Sequence, residues 1–557
     1  MRTFFNRKQF VVILALSLML LLVACGGDNN DADTSGDPPA NVGADGSHTL
    51  SADTEGEITI LLWGGSGELL RDVGRVYIPA EDIRARAEAG FIASARAFNE
   101  IFPNIVVNVY GREGGPDDND IPWQQYRANF ALDHGISPDI FQISNMIVDI
   151  EGGHVGDLSI FRDDPRFQTF NPTLMELTSL EGRTFAVPFG VTPWGIFVNR
   201  GLAEAQNIDV PSINWTMEEY FRFISNSNPG EWYGAHDPPF RLGRTGTPDF
   251  HEQLANRTGD EPFVTINNES TRNLFRAVPN IVPHTVWPQW NAGNLDQEWM
   301  DEHGWWSFYF FTQGSMLTYD HEAWMMHYIA SENPPEWARM TLTDWDIFPR
   351  PSTPYVDNHI EILVDIIGLR NFAMDDGDAN LSPEEFHQKN IAWEFLAFYM
   401  TDTRAWQARA DQQFNTGDGM GVALNQFFPV STGQAFQDQM DIWFSADRQL
   451  FSNRNAMPGF HRVLELYEAG SFAAFADMAH VWWYEFEGER RHIMFEWYNI
   501  GTEDVAGAEV WEPAWLDNVL ARLPGWETEM NQRFRDGTES VITAIERFYP
   551  EQDWGGR

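Results

Sequence analysis

One cysteine in 557 residues, Cys25, excludes any internal disulfide, so the folded part must be held by its core alone. Lysine is almost as scarce. Lys8 and Lys389 are the two in the chain, and every other basic side chain is an arginine. Arginine keeps its charge at pH values where lysine begins to lose it, so this composition fits an alkaline or saline habitat as well as compositional drift. Positive charge is short overall: 36 Lys and Arg stand against 82 Asp and Glu, a formal charge of −46. A surface of that sign repels nucleic acid and anionic lipid headgroups, which removes both as partners. Long apolar runs are lacking too, with one exception, Phe10 to Ala24, which is short for a membrane span.

That run follows Arg2, Arg7 and Lys8 and ends in Leu22-Val23-Ala24-Cys25. Positive charge followed by a short apolar stretch is the layout of a secretory signal. The last four residues resemble the bacterial lipobox, in which cleavage precedes the cysteine and the thiol takes a diacylglycerol. The expected mature chain therefore begins at a lipidated Cys25, and loss of the leader takes the formal charge to −49. Residues 26–56 are small, acidic and proline-containing and cannot bury enough apolar surface to fold; they read as a tether. Ordered structure is expected from about Glu57. Aromatics make up 14% of the chain, with 23 Trp and 41 Phe, which places the remainder among large globular folds.

Short β-rich runs alternate with helical patterns, which argues for an α/β fold. ITILLW (58–63), IVVNVYG (105–111) and PDIFQIS (138–144) read as strands, and 85–104 and 122–135 read as the helices between them. In a doubly wound sheet ligands bind at the carboxyl ends of the strands, which here carry Trp63, Ser144 and Asn145. Several sharper motifs fail. His321, Glu322 and His327 miss the i, i+4 spacing of a zinc site, and no metal or cofactor is expected. Asp376–Asn380 lacks the glycine and glutamate of a calcium loop, so Ser382-Pro383-Glu384-Glu385 reads as a helix entry.

Several blocks together carry a resemblance. The helix ending FPNI-V-V, the "G-SPDI" stretch and GRTFAVPFGVTPWGIFVNRGLAEAQNIDVPSINWTMEEYFRFI (182–224) are followed by GSMLTYDHEAW (314–324), NIAWEFLAFYMTDTRAWQARA (390–410) and NQFFPVS (425–431). In that order they resemble the extracellular solute-binding proteins of ABC importers, in the branch that includes maltose-binding protein. The resemblance implies a two-lobed periplasmic-binding-protein-like fold, each lobe a doubly wound sheet flanked by helices, joined by hinge strands. It implies one lobe from 57–183 with 362–415, another from 188–355 with 420–557, and hinges near Gly182–Val187, Tyr355–Ile362 and Gly417–Phe427. It also implies a monomer outside the cell or in the periplasm, held to the membrane through Cys25, that passes a sugar or oligosaccharide to importer permease subunits without chemistry.

A sugar presents an apolar C–H face and a rim of hydroxyls, so aromatic planes edged with polar side chains suit it. Trp63, Trp194 and Tyr319 are candidate planes, and Ser144, Asn145, Asp320 and Glu322 candidate edges. Trp324 falls where the family stacks a ring on its sugar. Val198 replaces the family's stacking Tyr, so the ligand is not copied from maltose-binding protein. A peptide or polyamine receptor, and a surface glycosidase, are the alternatives. Cys25→Ser should release the protein into the medium or leave it unprocessed; mass analysis of a wild-type mature chain starting elsewhere, without lipid, would refute the anchor.

Overall fold

A computed structural model of the chain describes residues 50–549 apart from 114–122, 240–241, 243–244, 247–264, 292, 296, 304–306, 321–325, 330–333, 335, 373–380, 418–419, 425–426, 446–448, 476–482, 487–488 and 493–513. Cys25, the leader, the tether up to residue 49, the stretch 376–380, Glu322 and Trp324 lie outside those residues; the end read as tether is part of the fold, with Leu50 packed on the core, Thr54 buried and Gly56 opening the first strand. The α/β class expected from the sequence is the class observed: among the described residues a seven-stranded and a three-stranded sheet, with three two-stranded hairpins, are surrounded by helices.

Strand β1 (Gly56–Leu62) is buried without interruption from Ile58 to Leu62, as a strand covered on both faces must be. The edge strand β2 (Leu69–Leu70) lies antiparallel to β3 (Ile105–Gly111). β1 pairs in parallel with β3 along its whole length and with β4 (Ile140–Ile143) on its other side. The helices Arg86–Asn99 and Trp123–His134 provide the long crossovers that parallel strands need. The Gly64-Gly65 step, read from sequence as a turn, is a close approach of two backbones. A Cβ on Gly65 would stand 2.4 Å from the Gly111 Cα.

A small hairpin of β5 (Ser179–Leu180) and β6 (Arg183–Thr184) precedes β7 (Val187–Trp194), which also belongs to this first sheet. The second sheet is β8 (Ile196–Val198) flanked by β9 (Thr318–Tyr319) and β10 (Asp346–Phe348), antiparallel throughout. With strands of two or three residues it is not a doubly wound sheet among the described residues. Its lobe is built chiefly from helices such as Met217–Ile224, which opens with a Thr216–Glu219 capping box.

Strand β11 (Ile360–Leu369) returns the chain to the first sheet. One edge pairs antiparallel with β7; the other pairs with β4 at its end and with β14 (Phe472–Phe475) at its start. Opposite β11, register slips between Gly190 and Pro188, so Phe189 is the extra residue of a bulge. After β11 the helix Pro383–Thr401 starts in a Ser382–Glu385 capping box and runs through the core.

Two expected boundaries change. The chain leaves the first sheet at Gly195 rather than between Gly182 and Val187, because β7 pairs with β11 from Val187 to Trp194. At Gly195 a Cβ would meet the Phe348 carbonyl at 2.2 Å, so the strands pass closely at the crossover. The tail is not confined to the second lobe. β14 joins the first sheet, and the helix Trp515–Phe548 touches both sides: the Tyr549 hydroxyl, just past its end, donates to the Val155 carbonyl at 2.7 Å, and Glu527 accepts from the Asn267 amide at 2.8 Å.

Asp365 sits on β11 opposite the bulge, half-buried, and desolvation pushes its pKa up to about 7. The folded chain then keeps a proton that the unfolded chain gives up above about pH 4, so this group's stabilising contribution is lost as pH rises from about 4 through 7. Asp365→Asn should flatten that part of the stability profile, raising the melting temperature at pH 8 but not at pH 4. An unchanged profile would refute it.

Candidate functional site

Trp63 follows β1 and is buried, with its backbone N–H donating to Gln142 Oε1 at 2.7 Å. Its ring stands edge-to-face to Trp123 at 6.4 Å, while the Trp123 indole N–H donates to the Gln142 carbonyl. The Trp63 Nε1 is buried without a hydrogen-bond partner in the protein. Ser144 and Asn145 follow β4 at the same edge of the sheet. Ser144 Oγ accepts from Gln124 at 3.3 Å. Asn145 caps the helix Met146–Glu151 by accepting the Val148 amide at 3.3 Å. This Asn is committed to the helix start, so its carbonyl oxygen is not spare for a ligand.

Trp194 and Asp320 come together at a second place, the crossover. Trp194 ends β7 opposite Glu361 of β11. The Arg350 guanidinium, fully buried, bridges Glu361 at 2.6 Å and Asp320 at 2.8 Å. Arg350 pairs through its backbone with His359, so one side chain ties β9, the chain after β10 and the start of β11. Tyr220 lies against the same cluster. Burial first, then the Asp320 carboxylate, push its phenol up. Asp320 is thus an ion-pair partner first. Tyr319 is fully buried, its ring 5.6 Å from Phe308, 6.0 Å from Phe197 and 6.1 Å from Phe311. Those contacts place it in the core, not on a cleft wall, because residues alternate along β9 and Asp320 takes the outward position.

A third place was not picked out in sequence. Arg86 is the first residue of the helix Arg86–Asn99, a position where the helix dipole favours acids. Its guanidinium lies over the rings of Phe414 at 5.3 Å and Tyr328 at 5.9 Å. Tyr328 belongs to the segment after β9, so this arginine reaches from the first sheet's helices to the second sheet's side. Below it is a cavity of about 10 Å³, room for about one water, lined among others by Phe189, Tyr399, Trp406, Arg409 and Phe427. The bulge of β7 aims Phe189 there, 6.1 Å from Phe427. The Arg409 stem crosses Gly90, one turn along from Arg86, and its guanidinium lies between Tyr399 and Trp406 at 4.3 and 4.4 Å. Phe427 and Arg409 fall within or beside blocks that carried the resemblance, which is the signal that could have found them.

Removing the Arg350 side chain's charge would leave two carboxylates buried and unpaired. Arg350→Met should cost about 3–5 kcal/mol of stability, read by denaturant unfolding at pH 7. A loss below about 1 kcal/mol would show that the cluster is open to solvent and not structural.

No family model matches the chain, and no curated protein matches it. Solved structures do resemble it. The ABC substrate-binding protein Lmo0181 from Listeria monocytogenes, in complex with cycloalternan, is 13% identical with a TM-score of 0.47, covering 88% of this chain and 99% of that one. A cyclic alpha-maltosyl-1,6-maltose binding protein from Arthrobacter globiformis is also 13% identical, with a TM-score of 0.47 over 88% and 100%. A family 1 extracellular solute-binding protein from Bifidobacterium longum subsp. infantis is 13% identical, with a TM-score of 0.44 over 88% and 98%.

Proposed function

We propose that the chain is an exported receptor, anchored through Cys25, that closes two lobes on a sugar or oligosaccharide and delivers it to an ABC importer. One observation supports this above the rest. Arg86, on a helix of the first sheet, meets Tyr328 from the second side over an aromatic cavity. Tyr328 does not line the cavity itself, so a ligand must reach past Arg86 to Tyr328 to touch both lobes, and only such a ligand shifts an open–closed balance. Among the described residues no helix is long and apolar enough to cross a membrane. Delivery, permease partners and the lipid follow from the sequence resemblance. A polyamine receptor is disfavoured, because two guanidinium groups line the cavity and would repel a polycation.

Calorimetric titration with a panel of mono- and oligosaccharides, with product analysis of the same mixtures, tests the reading. Saturable binding without turnover is expected, and hydrolysis would make the protein a glycosidase. Within that reading Trp324 is the stacking residue. Covering a sugar's C–H face, roughly 50 Å² at about 25 cal/mol/Å², is worth about 1–2 kcal/mol. Trp324→Ala should then weaken binding by about ten-fold and leave the melting temperature of the free protein nearly unchanged. Early unfolding with normal binding would make Trp324 a core residue instead.

A further inference from the structure

The cavity under Arg86 holds two positive charges and no negative one. Several other buried and half-buried arginines meet carboxylates: Arg127 with Asp149, Arg166 with Asp164 and Glu394, Arg183 with Asp157, Arg350 with Glu361, whereas half-buried Arg96 is bonded to the Gln412 side chain and the Ile78 carbonyl. Arg86 and Arg409 meet none among the described residues, although acids outnumber bases by more than two to one. What Arg409 does meet is the Ala405 carbonyl at 3.2 Å, the Tyr399 carbonyl at 3.0 Å and two ring faces. The electrostatic consequence follows. Burial lowers the pKa of Arg86 to about 10 and lowers that of Arg409, whereas Asp164 and Glu394 raise that of Arg166. Closing the site on a neutral ligand would leave both charges uncompensated in a low-dielectric space, which is costly. An oxyanion between them would form charge-assisted, bidentate hydrogen bonds with a planar guanidinium.

We propose that this cavity receives a carboxylate, so that the captured saccharide is an acidic one of the uronic-acid class. The inference rests on the sugar-capture reading and adds the charge of the ligand to it. The Phe414 and Tyr328 rings beside Arg86 are the aromatic faces nearest the sugar ring, and the cavity of about 10 Å³ has room for one oxygen of the charged group it carries.

The test is calorimetry on the mature chain with D-galacturonate and D-glucuronate against D-galactose and D-glucose, with trialanine as a third arm. At least one uronate should bind ten-fold or more tightly than its neutral counterpart. Arg86→Gln, shown to fold by its thermal melt, should bring that ratio to about one, and Arg86→Lys should restore part of it. Neutral sugars binding as tightly as uronates, or a preference that survives Arg86→Gln, would overturn the inference while leaving sugar capture standing. Binding of trialanine alone would overturn both in favour of a peptide receptor. Absence of binding by every sugar, acidic and neutral, would remove the sugar reading and this inference with it.

Discussion

Strand β11 must satisfy three neighbours with two edges. It does so by dividing one edge between β14, parallel to its first residues, and β4, antiparallel to its last. The other edge belongs to β7. The two chain segments that join the sheets, one leaving through β7 and one returning into β11, therefore lie side by side and hydrogen-bonded. Any motion of one lobe against the other must bend this pair of strands. Glu361, the second residue of β11, holds the ion pair with Arg350, so the same strand also carries the strongest electrostatic tie at the junction. The bulge opposite Asp365 is the accommodation this pairing requires, and it turns Phe189 toward the cavity. Packing of one strand thus sets both the path between the lobes and one wall of the candidate site.

The two ends of the junction differ in kind. At Gly195 the contact is steric: the backbone passes so near the Phe348 carbonyl that no side chain fits. At Arg350 the contact is ionic, buried, and shared by segments 30 and 11 residues away in the chain. A steric pivot tolerates small rotations, whereas a buried ion pair resists separation because each charge would lose its partner without gaining water. Separating the strands here would therefore cost more at Arg350 than at Gly195.

Much of the first sheet was legible. ITILLW and IVVNVYG are runs that fit a strand buried on both faces, and β3 coincides with the residues read for it. Ser382 and Glu385 announce their helix because the capping box is a local device. The crossover was not legible. Pro188, Gly190 and Pro193 weaken the strand signal of β7, and its pairing with β11 lies some 170 residues away in the chain. Tyr319 was misplaced because a two-residue strand offers no alternation from which to read a face. Arg86 and Arg409 were invisible for a deeper reason. What distinguishes them is the lack of a carboxylate partner among the described residues, and the absence of a neighbour in space leaves no mark on sequence spacing.

That absence acquires its meaning from the composition. With 82 acids in the chain, a carboxylate near any given arginine is the default, and the fold supplies one to arginine after arginine. Arg86 and Arg409 line one cavity whose described lining contains no acid, so no carboxylate of that lining offsets either charge. The overall field opposes the approach of an anion, but it falls off within about a Debye length at moderate salt, roughly 8–10 Å. Inside the cavity the nearer charges dominate, since low dielectric strengthens short-range interactions much more than long-range ones. The surface can therefore stay strongly acidic while one enclosed spot favours the opposite sign. Arginine suits that spot better than lysine would, because its planar group can lie on the rings of Tyr399, Trp406 and Phe414 and still present its edge to a partner.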